Sequence, residues 1–241
     1  MQYTLFENTN LQTTTETRIG YEPVLAAVIE RRSLKERYSI KPINYKLAME
    51  IVVNNHYLHR KCPCSFAWGL FEGNNIIGCI IYGTPSSAPL RKGICGEDEK
   101  DNVIELTRLW VQDGTPKNTE SYLIGNTLKL VDKEIIVSYA EIEQGHLGIV
   151  YQATNWLYTG LSAKRTNWTI EGIDKHCQTI ADKYTSAEIR EKYGDAFKLV
   201  DRPRKHRYVY LNADKRRKRE LLTKLKYEIQ PYPKRALANG C

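Results

Sequence analysis

From about residue 37 onward, apolar residues fall into short blocks of two kinds. RYSIKPI (37–43), FAWGLFE (66–72), IIGCIIYGT (76–84), VIELTRLWV (103–111), IIVSYA (135–140), NWLYTGL, FKLV and HRYVYL (206–211) are rich in β-branched and aromatic residues and read as strands. Gly73-Asn74-Asn75 between the second and third marks a hairpin. Other segments repeat at helical spacing. Asn44 is a good N-cap for a helix with Leu47, Ile51, Met49 and Val52 on its buried side, and this helix delivers His56 and Tyr57 at its end. Thr119 and Glu120 open a second helix running to about Leu130, and VYQAT forms a short third. Helical patterns also cover Ile170 to Lys192, ending at Gly194, and Ala213 to Leu225. Residues 85–102, rich in Pro, Ser and Gly, read as a loop, and QPYPKRALANGC reads as an extended tail. The alternation predicts an α/β fold with a mixed sheet flanked by helices. The expected units are a lead-in over 1–36, a main domain over 37–211 with a helical insertion at about 170–194, and a basic helix and tail over 212–241.

With 41% hydrophobic residues in 241, the chain can bury a substantial core. It has no run near the roughly 18 apolar residues of a membrane span, and its polar start is unlike a secretory signal, so a cytoplasmic protein without a membrane partner is expected. Six cysteines are too sparse for a disulfide scaffold, and Cys79 in IIGCIIYG reads as a small buried hydrophobe. Charge changes the picture more. Residues 202–235 carry 13 basic and 3 acidic side chains, so the whole net charge of +8 is a C-terminal feature. Such a stripe is the footprint of polyanion binding, with a solvated helix face as its plainer alternative.

Arg108 lies mid-strand, and strict alternation puts it on one face with Ile104, Leu106 and Trp110. A guanidinium there requires an anion, either a ligand's carboxylate, carbonyl or phosphate, or a structural partner such as Glu141. His56 and Tyr57 are candidates for base, stacking or metal-binding roles, with a helix-end histidine as the alternative. Ser121, Lys117 and Asn118 surround a helix start able to hold an anion, although an ordinary helix-start serine fits equally well. Glu141 and His146 follow a strand end, where ligands gather in open α/β sheets. His56, His59, Cys62 and Cys64 also spell a tight zinc-like spacing. Trp68, Trp110 and Trp156 read as core, and Trp168 as a nucleic-acid contact.

PSSAPLRKGICG, IELTRLWVQDGTPKNTESYLIGN and IIVSYAEIEQGHLGIVYQATNWLYTGLSAK occur in succession, with NNHYLHR upstream and RPRKHRYVYL downstream. This series resembles the Mom family of phage DNA-modification proteins. The resemblance implies a Gcn5-related N-acetyltransferase-like fold, with a mostly antiparallel central sheet. It also implies conversion of adenine to N6-carbamoylmethyladenine in double-stranded DNA in the host cell cytoplasm, hiding phage DNA from restriction endonucleases. Catalytic positions would then be His56, Tyr57, Arg108 and Glu141, where the family often has Asp at the last. Lys117, Asn118 and Ser121 would bind the donor. Lys164, Arg165, Arg204, Lys205, Arg207, Arg216 and Arg217 would contact DNA. The donor is open: acetyl-CoA or a related molecule is one candidate, and iron held by His56, Tyr57 and a carboxylate is another feature the family suggests. The phosphate loop departs from the acetyltransferase pattern, since Q/R-x-x-G-x-G/A is replaced by QDGTPKNTES. Tyr151 and Tyr158 lie where such enzymes keep an acid tyrosine, but packing suits both better. A dimer is compatible with the sequence. Two other readings remain: an acetyl-CoA-dependent N-acetyltransferase acting on a small amine or nucleotide, and a non-catalytic DNA-binding protein.

Overall fold

The computed structural model describes residues 33–173, 180 and 184–234. Most of the lead-in, Cys177 and Cys241 lie outside them. A short helix α1 (Leu34–Arg37) precedes strand β1 (Ser39–Pro42) and helix α2 (Tyr45–Asn55). Asn44 caps α2, its side chain accepting from the Leu47 N–H at 2.9 Å. Strands β2 (Phe66–Glu72) and β3 (Asn75–Gly83) form the expected hairpin. The expected loop at 85–102 is instead helix α3 (Ala88–Cys95) and a 3-10 turn (Glu97–Asn102). Ser87 caps α3, and Pro89 sits in its first turn, where a missing N–H costs nothing.

Strand β4 (Val103–Val111) leads to helix α4 (Thr119–Thr127), strand β5 (Ile135–Glu141), a short helix α5 (Ile149–Ala153) and strand β6 (Leu157–Leu161). Next comes strand β7 (Arg165–Ile170), where the sequence had suggested no strand. Within the expected insertion, the described part includes helix α6 (Ser186–Tyr193) and the return strand β8 (Phe197–Arg202). Strand β9 (Lys205–Leu211) and helix α7 (Lys215–Lys224) complete the order.

Seven strands make one sheet in the order β1-β2-β3-β4-β5-β9-β6. Every neighbour pair in it is antiparallel except β4 and β5, which are parallel. Strands β7 and β8 form a separate two-stranded ribbon. Helix α4 and strands β2 to β5 bury the largest core, around Leu70, Ile80, Tyr82, Leu123, Ile124 and Ile136. Trp68 and Trp156 are core residues as expected. Two further clusters cover the sheet: α2 packs Ala48 and Val52 against Cys79 and Ile81, while α3 and α7 pack Ile94 and Leu221 against Val103 and Val209. Trp168 packs within the ribbon, stacked on Phe197 with centroids 5.6 Å apart. No helix among the described residues is long and apolar enough to cross a membrane.

Candidate active site

The site begins where the sheet forks. Strands β4 and β5 pair through only three register positions, the last being Glu105 with Val137. Beyond it, the next carbonyl of β4, Leu106, accepts a hydrogen bond from the Ser138 side chain at 3.0 Å. Ser138 Oγ also lies 2.8 Å from the Tyr151 hydroxyl. A side chain thus replaces the backbone partner, and the strands part without leaving a buried carbonyl unsatisfied. The opening is a cleft of about 1460 Å³ lined from both banks.

A β-bulge sets what faces it. Ile81 pairs with Arg108 and Tyr82 with Leu106, so Thr107 is the extra residue of β4. Its hydroxyl donates to the Pro63 and Ile81 carbonyls at 3.1 and 3.2 Å. The bulge overturns the alternation read from the sequence. Leu109 and Val111 join Ile104 and Leu106 against the main core, while Trp110 packs on the opposite cluster. Arg108 therefore does not share the face of Ile104 and Leu106, and it lines the cleft.

Arg108 is half-buried and forms no ion pair among the described residues. Its Nη1 donates to the Thr107 carbonyl at 2.6 Å, while its Nε is buried without an acceptor. Glu141 is not its partner, because that carboxylate is paired with Lys205 at the start of β9. Burial pushes the Arg108 pKa down, with nearby Arg60 adding to the effect. A guanidinium remains charged at neutral pH, so the site holds a cation with no ion pair among the described residues and with donors to spare.

Glu105, three residues earlier, also lines the cleft, and sequence reading missed it. It is half-buried, and its carboxyl makes no hydrogen bond or ion pair among the described residues. Burial raises its carboxyl pKa to about 7, against the opposing pull of Arg108, Lys205 and Arg202. The available signal was its strand position: a glutamate two residues from Val103 shares the inward face of a buried strand.

His56 caps the end of α2 and is buried. Its Nδ1 accepts the Leu58 N–H at 3.2 Å, which leaves the ring proton on Nε2. Burial, together with Arg108, lowers its pKa to about 4. The ring is neutral at physiological pH, unlike a helix-end imidazolium. Tyr57 stacks on it at 4.3 Å and meets His146, from the loop after β5, edge-on at 5.6 Å. Tyr57 is nevertheless 42% exposed, its ring lining the cleft. Burial and the Glu141 charge raise its hydroxyl pKa to about 12, so it stays protonated.

Lys117, Asn118 and Ser121 line a smaller recess of about 430 Å³, which shares Val111, Asp113, Glu120, Ile149 and Val150 with the main cleft. The residues do not suit a coenzyme A diphosphate. Pro116 has no N–H, and both the N–H and the hydroxyl of Thr119 are spent on the Pro116 carbonyl. Asn118, in the left-handed region, makes no side-chain cap. The Glu120 and Ser121 amides precede the first α-helical bond, from Tyr122 to Asn118, and Glu120 puts an acidic residue in that first turn.

The zinc spacing does not assemble. His59 Nδ1 lies 2.9 Å from the Val53 carbonyl, and no three His, Cys, Asp or Glu side chains among the described residues converge as metal ligands. Tyr151 and Tyr158 are buried, Tyr158 bonded to His206 Nδ1 at 2.8 Å.

The basic residues divide by environment. Arg165 and Lys205 line the cleft, and Lys164 is exposed beside them. Arg204 donates to the Ser162 and Leu161 carbonyls. Arg207 is 9% exposed, bonded to Thr159 and stacked 3.4 Å over the Tyr227 ring, and it lines the inner part of the cleft. On α7, Arg216 is exposed, whereas Arg217 is held by Glu99, Glu134 and Glu220.

The chain is 30% identical over 205 residues to a protein of Escherichia phage Mu named methylcarbamoylase mom, covering 81% of this chain and 83% of that one. Solved structures that resemble it include a ribosomal-protein-S5-alanine acetyltransferase from Vibrio fischeri (10% identity, TM-score 0.41, 74% and 94% of the two chains). Another is a GNAT-family acetyltransferase from Elizabethkingia anophelis with acetyl-CoA bound (12% identity, TM-score 0.39, 73% and 98%). The family model described as the Mom protein family matches residues 37–234, most of the chain, and this protein belongs to that family.

Proposed function

We propose that this protein is a phage DNA-modification enzyme that places a carbamoylmethyl group on adenine N6 in double-stranded DNA, shielding it from restriction endonucleases. Family membership and the phage Mu relative support the reaction class. The observation that carries the reading is a carboxyl and a guanidinium, Glu105 and Arg108, that form no ion pair among the described residues and face one cleft at the fork of β4 and β5.

Adenine N6 is a poor nucleophile because its lone pair is delocalised into the ring, and it is out of reach within a duplex. The cleft is large enough to take an extruded base. Tyr57 offers a ring face there, and His56 offers a neutral Nε2–H. Arg108 binds the carbonyl or carboxylate of an electrophilic carbamoylmethyl donor and stabilises charge developing on it. N6 then bonds to the donor's methylene carbon. The bond from that carbon to its leaving group breaks, with the electron pair going to the leaving group. The N6 proton passes to Glu105, whose pKa near 7 suits a general base at neutral pH.

The test is expression in bacteria followed by nucleoside mass spectrometry of the DNA. A new adenine nucleoside heavier by a carbamoylmethyl group is expected from wild type and absent with Arg108→Ala. Unmodified DNA in cells containing soluble, folded wild-type protein would overturn the reading.

A further inference from the structure

We infer that Arg165 and Arg202, at the root of the β7–β8 ribbon, bind a backbone phosphate of duplex DNA at the cleft mouth, and that the basic helix α7 is not the principal grip. This rests on the reading of DNA as the substrate. Arg165 and Arg202 are direct cross-strand partners. Their side chains therefore leave the same face of the ribbon about 5 Å apart at Cβ, where like charges repel. Neither has an ion-pair partner among the described residues. Asp201, next to Arg202, pairs in register with Thr166 and so falls on the other face. Lys198, farther along the ribbon, is neutralised by Glu171 at 2.6 Å. Two guanidinium groups in register at the ligand-facing end, with no ion pair among the described residues, call for a shared anion, and a phosphodiester offers two oxygens to such a pair.

Their position selects the anion's source. Both arginines line the cleft on its β5 bank, together with Asn167 of the same ribbon. On the β4 bank, Arg60 and Lys61 follow α2 and also line it, again with no ion pair among the described residues. A strand laid across the mouth would meet on each side two cations that form no ion pair among the described residues. Contacts of this kind fix register without reading sequence, which is what an enzyme that draws one base inward requires.

Helix α7 lacks that placement, since none of Lys215 to Lys224 lines the cleft. Arg217 and Lys224 are spent on Glu99 and Glu220, and Lys218 lies over the Tyr210 ring.

The experiment is fluorescence anisotropy of full-length protein with a labelled duplex of about twenty base pairs, across a salt series. R165A/R202A is expected to weaken binding about tenfold or more and to flatten the slope of log affinity against log salt by about 1 to 2. R60A/K61A should act in the same direction. K215A/R216A/R219A on α7 should change affinity by less than about threefold on the same salt scale. With the repulsion removed, R165A/R202A should melt no lower than wild type. Should it melt lower, R165Q and R202Q singly report the same loss with less perturbation. Full affinity in the ribbon variants with loss in the α7 variant overturns the inference and leaves DNA as substrate intact. Wild-type protein that neither binds duplex nor modifies it overturns the substrate reading itself.

Discussion

At the residue scale, Glu105 and Arg108 show how one strand supplies two opposite kinds of chemistry. Both are partly removed from water and neither forms an ion pair among the described residues, so each is costly to stability and available to a ligand. Arg108→Ala should abolish modification while leaving the melting temperature unchanged or higher, because the Nε it deletes has no acceptor. Glu105→Gln keeps the shape and removes the base, so the rate of modification should fall by about 10²- to 10⁴-fold. In wild type the rate should climb as pH rises through about 7, and that limb should be missing in Glu105→Gln. Burial sets that limb, opposed by the charges of Arg108 on its own strand and of Lys205 and Arg202 from the β9 and β8 ends. Stability gives an independent check. A carboxyl whose folded pKa is raised stabilises the fold fully below its unfolded pKa, and that contribution is lost as pH climbs to about 7. Glu105→Gln should therefore be more stable than wild type at pH 8, by about 1–3 kcal/mol, and should lose that advantage near pH 4. Equal melting temperatures for the two proteins at both pH values would show that Glu105 titrates normally.

At the element scale, the basic helix α7 changes meaning once its partners are known. Glu99, 5% exposed at the 3-10 turn before β4, accepts from Arg217 and Lys224, each at 2.7 Å. Burial opposes its charge, but bonds from Lys224, Arg217 and Asn102 hold its carboxyl below the usual range. Because that pKa is depressed, the clamp contributes above the ordinary carboxylate pKa and is lost as pH falls through the folded value. Glu99→Ala should cost about 1–3 kcal/mol in urea unfolding at pH 7, with a smaller cost in acid. An unchanged urea midpoint would mean that α7 is held by Leu221 packing alone. The cation run was legible in the sequence, but the acid over a hundred residues away that neutralises part of it was not. The hairpin turn after Glu72 and the Asn44 cap were legible because both signals are local. Two features escaped for matching reasons. The α3 segment hides its helix behind Pro and Gly, which a first turn and a C-cap tolerate. The Thr107 bulge is set by carbonyls of Pro63 and Ile81 on other segments, so alternation along β4 assigned Arg108 to the wrong face. Glu105 went unnoticed because its importance lies in the partner it lacks, and a sequence does not display missing partners.

At the scale of the whole molecule, the C-terminal segment ties helix α3 to the β9–β6 edge of the sheet. After α7 the chain turns back, the Lys226 N–H donating to the Ile94 carbonyl at 2.8 Å. Tyr227 then lies under the Arg207 guanidinium, and the Gln230 N–H donates to the Tyr158 carbonyl at 2.9 Å. Tyr232 donates to the Trp156 carbonyl at 2.7 Å. Strand β6 is the last strand of the sheet, so these bonds cover an edge that would otherwise be open to pairing with another chain. Approach is close: a Cβ on Gly160, in the left-handed region, would fall 2.9 Å from the Gln230 side chain. Truncation after Leu225 keeps the whole of α7 and removes only this wrap. It should lower the melting temperature and promote concentration-dependent association, because the β6 edge and the Arg207 guanidinium both lose their cover. Light scattering with thermal unfolding measures both effects. Tyr227 also lines the cleft, so the truncated protein should modify DNA less well even at temperatures where it remains folded. A truncated chain that stays monomeric, melts with wild type and modifies DNA at the full rate would show that the wrap merely lies on the surface.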